Sequence, residues 1–311
     1  MKSIFFVGKG GVGKSTLSAT AAWQLARAGK RVFAISFDPA HNLGDIFGLT
    51  LSEKKTRIND NLDVAEANLD RAAEIYIQKN IDILTQMYSY TKAFNLDMYF
   101  KVLRYSPGVE EYAALTVLEE VFRTETAYDF VVFDTPPTAL TLRILALPNI
   151  AVTWVDRLRR IRREILRKRY TIHNLSGKFI EEGVELPYKE QDDEVMRQLS
   201  RLFQQYVDLY ARLSGEDNSI AAVFNPDYLS RRETERIISG LKDLRLPLRV
   251  AFDNKFTPQM LEVADEVENV LFGDERAIPV VRVPDNGFRK NDTYLMDFNI
   301  VDVLMGEEKK L

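Results

Sequence analysis

Gly8-Lys9-Gly10-Gly11-Val12-Gly13-Lys14-Ser15 follows the apolar run Ser3–Val7 (SIFFV) and leads into good helix formers, Ser15–Ala28, which stop at Gly29. The octet matches G-x-x-x-x-G-K-[ST] in full, and it does so between a strand and a helix, the context that gives the pattern meaning. Glycines let successive backbone N–H groups converge on phosphate oxygens without a Cβ in the way, and the helix N-terminus adds partial positive charge. In such a loop Lys14 reaches the β- and γ-phosphates and the Ser15 hydroxyl ligates Mg2+. Gly8, Lys9, Gly10, Gly11, Val12, Gly13 and Thr16 complete the cradle. The pattern therefore points to ATP with Mg2+.

Working outward, Arg31–Phe37 (RVFAISF) is the next β-branched and aromatic run, so the first 37 residues read as one β-loop-α-β unit. Further strands are expected at Leu62–Ala67, Tyr128–Phe133, Ile220–Phe224, Leu248–Phe252 and Pro279–Val283, with a helix at Glu233–Leu244. This alternation predicts an α/β fold: a mostly parallel sheet with helices on both faces. Two stretches break the rhythm. Leu69–Phe122 is helical almost throughout, interrupted near Ser106-Pro107-Gly108. Val152–Leu213 is helical with a polar break around Gly177–Gln191. The expected organisation is a single ATPase domain over 1–311 that carries helical insertions at about 69–123 and 152–213.

Composition narrows the chemistry. The 311 residues are 46% hydrophobic and 28% charged with a net charge of −4, so no bulk pull toward nucleic acid is expected. There is no cysteine, which removes disulfides, thiol nucleophiles and thiolate metal sites, zinc included. No apolar run is read as approaching the ~18 residues of a membrane span, and the N-terminal run is too short for a secretory signal. A cytoplasmic location is the expectation.

Lys9 is a second lysine inside the loop, spelled K-G-G-V-G-K-S-T. That spelling resembles the deviant phosphate-loop NTPases: nitrogenase iron protein, MinD and ParA, arsenite-pump ATPases and the ATPases that target tail-anchored membrane proteins. In that class the early lysine crosses a dimer interface to the other subunit's nucleotide; an exposed loop lysine is the plain alternative. Three further segments narrow the resemblance. Asp38-Pro39-Ala40-His41-Asn42-Leu43-Gly44-Asp45 is similar to the first switch of the arsenite-pump and tail-anchor-targeting branch. Asp134-Thr135-Pro136-Pro137-Thr138, continuing to Thr141-Leu142-Arg143, is similar to its second switch. Leu147-Pro148-Asn149 and Tyr228 to Arg236 extend the match along most of the chain.

The resemblance implies roles, and each has a plain alternative. Asp45 is the residue that branch uses to orient the attacking water; it could instead cap a helix. Asp134, ending an apolar strand, is the acidic partner of Mg2+, with Asp38 a weaker second member of the metal shell. His41 fits switch packing better than base chemistry. Asn254, just after a strand, aligns with an asparagine that recognises adenine, although a turn asparagine would look the same. Pro284 and Asp285 fall where an adenine-covering loop lies. Three departures stand out. Ala139-Leu140 replaces the usual Gly-His, and neither the zinc-sharing C-x-x-C pair nor a thiolate metalloid site can exist here.

Leu84–Tyr105 holds six aromatics and two methionines in 22 residues, suiting either an apolar groove or an ordinary helical core. Arg157–Arg169 carries eight basic residues and one acidic among 13, with Leu158, Ile161, Ile165 and Leu166 at helical spacing. Anionic lipid, an acidic partner, nucleic acid or a solvated face would each suit it. The resemblance implies an ATP-hydrolysing homodimer that captures an apolar client helix and releases it in transient contact with a membrane or membrane receptor. The alternatives it leaves are the ATPase subunit of an ion or arsenite efflux pump without a thiolate site, and a ParA-like positioning ATPase.

Overall fold

The computed structural model describes residues 1–38, 42–87, 108–177, 180–181, 184–273, 278–285 and 299–305. In chain order the first half comprises β1 (Lys2–Gly8), α1 (Lys14–Arg27), β2 (Val32–Ser36), α2 (Asn42–Phe47), β3 (Thr56–Asn59), β4 (Leu62–Glu66), α3 (Leu69–Met87), α4 (Val109–Thr124) and β5 (Phe130–Asp134). There follow α5 (Thr138–Ser176), a small hairpin of β6 (Ile180–Glu181) and β7 (Val184–Glu185), and α6 (Glu194–Ser214). The chain closes with β8 (Asn218–Phe224), α7 (Tyr228–Asp243), β9 (Leu248–Phe256), α8 (Leu261–Phe272), β10 (Val280–Pro284) and α9 (Val301–Met305). Eight strands form one sheet in the order β10-β9-β8-β1-β5-β2-β4-β3. All its pairs are parallel except that of the edge strand β3 with β4.

Strand parity divides the core in two. Ile4 and Phe6 of β1, Ala34 of β2, Val132 of β5 and Phe252 of β9 pack with Leu17 and Leu25 of α1. Phe5, Ile35, Phe133 and Phe224 point the other way, onto Leu118 of α4, Leu209 of α6, Ile237 of α7 and Leu271 of α8. The Phe5 and Phe133 rings stack at 4.3 Å. Helices on both faces are thus a direct consequence of central strands that present apolar side chains to both sides of the sheet.

Several elements differ from the sequence reading, each for a physical reason. β9 runs past Phe252 to Phe256 because β10 pairs with it as far as Pro284, so Asn254 lies inside a strand. β3 is half-polar and gains its strand from pairing with β4. α7 starts at Tyr228 because Asp227 caps it, accepting the Ser230 N–H at 2.8 Å. α5 begins at Thr138 and passes through Pro148, so position 152 falls within one 39-residue helix. It is also, among the described residues, the one helix long and apolar enough to cross a membrane, against the expectation of none. Here Ile144, Leu145, Ala151 and Val155 of that helix are buried in the fold. Pro39, Ala40 and His41, and all of Leu84–Tyr105 beyond Met87, lie outside the described residues.

Candidate functional site

The phosphate loop leaves β1 at Gly8, where a Cβ would sit 2.3 Å from the Val223 carbonyl oxygen of the neighbouring strand. It ends at Gly13, which has φ +98 and caps α1, its carbonyl accepting the Leu17 N–H at 3.0 Å. Lys14 is buried, and its Nζ donates to the Lys9 carbonyl at 3.2 Å. Burial lowers its ammonium pKa, while the charges of Asp134 and Asp38 oppose that shift.

A row of polar side chains crosses the α1 face at the C-terminal ends of the strands. Asp134 pairs in register with Ser36, and Ser36 with Glu66. Residues so paired on parallel strands share a face. Asp134 Oδ2 accepts the Ser36 hydroxyl at 3.0 Å. Its Oδ1 is buried without a hydrogen-bond partner among the described residues. Burial pushes this carboxyl up to about 6, against the pull of the Ser15 and Ser36 hydroxyls and the Lys14 charge. Half-buried Asp38 donates its backbone N–H to the Ser36 Oγ at 3.2 Å. An orphaned buried carboxylate oxygen near a loop hydroxyl is a good fit for a hard cation that takes oxygen ligands. Among the described residues no group of three or more His, Cys, Asp or Glu could hold a metal alone.

Asp45 lies inside α2 and is exposed; it does not cap that helix. Asn254 is fully buried, and its Nδ2 donates to the Val12 carbonyl at 2.7 Å. A Cβ on Gly13 would meet that same Nδ2 at 2.3 Å. The next residue, Lys255, holds φ 60 and donates its Nζ to the Gly11 carbonyl at 2.9 Å. Consecutive residues of β9 thus fasten consecutive carbonyls of the phosphate loop. Pro284 ends β10, and the Asp285 N–H donates to the Phe256 carbonyl at 2.9 Å, so both stand at the strand end that carries Asn254. Lys9 is half-buried and lines a surface cavity of about 340 Å³ with Tyr228, Leu229, Arg232, Glu233 and Arg236. Ser36, Glu66 and Lys255 escape the motif reading. Parity of polar residues at strand ends was the available signal for the first two.

Beyond Pro148, α5 exposes an apolar stripe of Trp154, Leu158, Ile161, Ile165, Ile172 and Leu175, with Trp154 61% and Leu175 81% accessible. At least half of the eight basic residues in the run beside it are in ion pairs. Arg160 pairs with Asp156, Arg162 with Asp193, Arg163 with Glu190 and Arg167 with Glu164.

A family model described as anion-transporting ATPase matches residues 1–269. The chain belongs to that family. Among relatives, "Putative arsenical pump-driving ATPase 2" of Aquifex aeolicus is 29% identical over 274 residues, 86% of each chain. "ATPase ASNA1 homolog 1" of Paramecium tetraurelia is 26% identical over 296 residues, 87% of this chain and 86% of that one. "ATPase ASNA1 homolog 2" of the same organism is 27% identical over 301 residues, 87% of each. As an anion-transporting ATPase family member the chain is an ATP hydrolase.

Proposed function

We propose that this ATPase works as a nucleotide-gated homodimer that captures an apolar client helix and releases it at a membrane, in the cytoplasm. Lys14 grips the β- and γ-phosphates, Ser15 and Asp134 hold Mg2+ with Asp38 behind them, and Asp45 orients the attacking water. The ion, when bound, neutralises phosphate charge. Lys9, beside the exposed Tyr228 and Leu229, reaches the partner's nucleotide across the dimer.

The observation that carries the reading is the continuity of α5. One helix of 39 residues starts four residues after Asp134 and ends in the exposed apolar stripe. At 1.5 Å per residue it is about 58 Å long. A shift of its first turn with the γ-phosphate therefore moves the stripe, coupling hydrolysis to client release without a separate relay.

The test is capture of a crosslinkable transmembrane peptide in the presence of Mg2+ and a non-hydrolysable ATP analogue. Leu158→Asp with Ile165→Asp should abolish capture, because a charge facing an apolar client is strongly penalised. Both residues are exposed, so basal ATPase and melting temperature should stay at parental values. Undiminished capture would overturn the reading. The relatives' printed names favour a second reading, the ATPase subunit of an arsenical pump with a site free of thiolates. Stimulation of turnover by arsenite or antimonite would select it.

A further inference from the structure

We propose that Glu66 is a positioning residue for hydrolysis: its buried carboxylate ties the helix that carries Asp45 to the row of strand ends that carries Asp134. The proposal rests on the reading of Asp45 as the residue that orients the attacking water.

Glu66 is the last residue of β4 and is 6% exposed. Its register partner Ser36 is hydrogen-bonded to Asp134, so Glu66 belongs to the sheet face that holds the phosphate loop. The strand ends there are laced together. Ala67 donates its N–H to the Ser36 carbonyl, and Phe37 donates its own to the Asp134 carbonyl, each at 2.9 Å. From this fixed base the Glu66 Oε1 accepts the Gly44 N–H at 3.0 Å.

Gly44 is the third residue of α2, and the first N–H groups of a helix have no partner within it. An ionised acceptor makes one of the stronger bonds available to such a group. The approach depends on glycine: a Cβ at position 44 would stand 3.2 Å from Glu66 Oε1 and 2.7 Å from the Leu49 carbonyl oxygen. Leu43 and Ile46 bury the underside of α2 in the core, and Glu66 fixes its start. Glu66 also lines a cavity of about 900 Å³ with Phe37, Leu51, Asn68 and Val109, and without its bond the start of α2 loses its tie to β4 and can shift. Asp45 follows Gly44 directly, so any such shift displaces its carboxylate. A misplacement of about 1 Å in a catalytic group can lower a rate about 10²-fold.

The experiment compares Glu66→Ala, Glu66→Leu and Glu66→Gln, each with the parental Asp45 and with Asp45→Asn. With Asp45 present, the alanine and leucine variants should lose about 10- to 100-fold in kcat while KM and the affinity for a fluorescent ATP analogue stay within about twofold. Glutamine keeps a carbonyl acceptor and should recover most of the rate. With Asp45→Asn, the same changes should add nothing. Leucine matches the bulk of the lost side chain, so it keeps the comparison open if the alanine variant misfolds. Joint loss of affinity and kcat, failure of glutamine to rescue, or further loss in the Asp45→Asn background would overturn the proposal. Asp45→Asn alone turning over at the parental rate would overturn the reading of Asp45, and with it this one.

Discussion

Asn254 and Val12, 242 positions apart, meet in a buried hydrogen bond of 2.7 Å from the asparagine amide to the loop carbonyl. The bond, with that of Lys255 to Gly11, turns loop carbonyls toward β9, and in the proposed site the N–H groups then face phosphate. Loss of one buried hydrogen bond amounts to about 1–1.5 kcal/mol, or roughly tenfold in affinity. Asn254→Ala is therefore expected to weaken ATP and GTP alike, by about tenfold, in competition against a fluorescent nucleotide. A loss confined to adenine nucleotides would return Asn254 to the adenine edge.

Lys14 and Lys9 should separate cleanly. Lys14→Ala is expected to lose nucleotide affinity, since its buried ammonium is the proposed ligand of the β- and γ-phosphates. Lys9→Ala should keep substantial affinity yet fail to form the closed dimer when a non-hydrolysable analogue is added, as read by light scattering. A Lys9→Ala protein that dimerises and hydrolyses normally would exclude a role across the two-fold axis.

The buried Asp253 sets a pH dependence of stability. It lies on the opposite face of β9 from Asn254, with both carboxylate oxygens lacking a hydrogen-bond partner among the described residues. Burial and the neighbouring Glu268 push it up to about 7, although Arg282, which also pairs with Asp265 and Glu268, pulls it down. Between about pH 4 and pH 7 the folded chain keeps a proton that the unfolded chain has released, so this group's contribution falls as pH rises. Asp253→Asn should melt with the parent near pH 4 and a few degrees above it at pH 8. Equal melting curves at both values would show that the carboxylate is not buried in solution.

Much of the fold was legible because its strands are short apolar runs closed by polar residues. The phosphate-loop motif stood out because its glycines and lysine sit at fixed spacing between a strand and a helix. What escaped depended on partners remote in sequence. The segment Asp253-Asn254-Lys255-Phe256 reads as polar turn, and becomes strand only because β10 pairs with it. Asn254 consequently faces the loop. Glu66 looked like the polar end of a strand, since its partner Gly44 lies 22 residues away on an element no local pattern ties to β4. The second helical stretch was expected from Val152, whereas α5 already starts at Thr138 and runs through Pro148.

The basic run on α5 should divide into structural and surface members. Arg162 makes a two-pronged contact with Asp193, at 3.0 and 2.7 Å, and the two side chains are only 16% and 1% exposed. Asp193 also caps α6, accepting the Met196 N–H at 2.7 Å. Burial alone would raise its carboxyl, but the Arg162 bonds, the Met196 N–H and the nearby charges of Arg162 and Arg169 hold it below the usual range. Stability from this site is thus present at neutral pH and is lost as pH falls below about 4. Arg162→Ala strands a buried carboxylate, and a loss of about 2–4 kcal/mol is expected, allowing for the cap bond that remains. Arg157→Ala, on the exposed side, should change stability by less than about 0.5 kcal/mol. Denaturant melts at pH 7 check both. Arg162→Met combined with Asp193→Ser should recover most of the loss, because serine still caps the helix and no charge is left alone. If Arg162→Ala instead behaves like Arg157→Ala, the Arg162–Asp193 pair is not a structural anchor and Arg162 belongs with the surface members of the run.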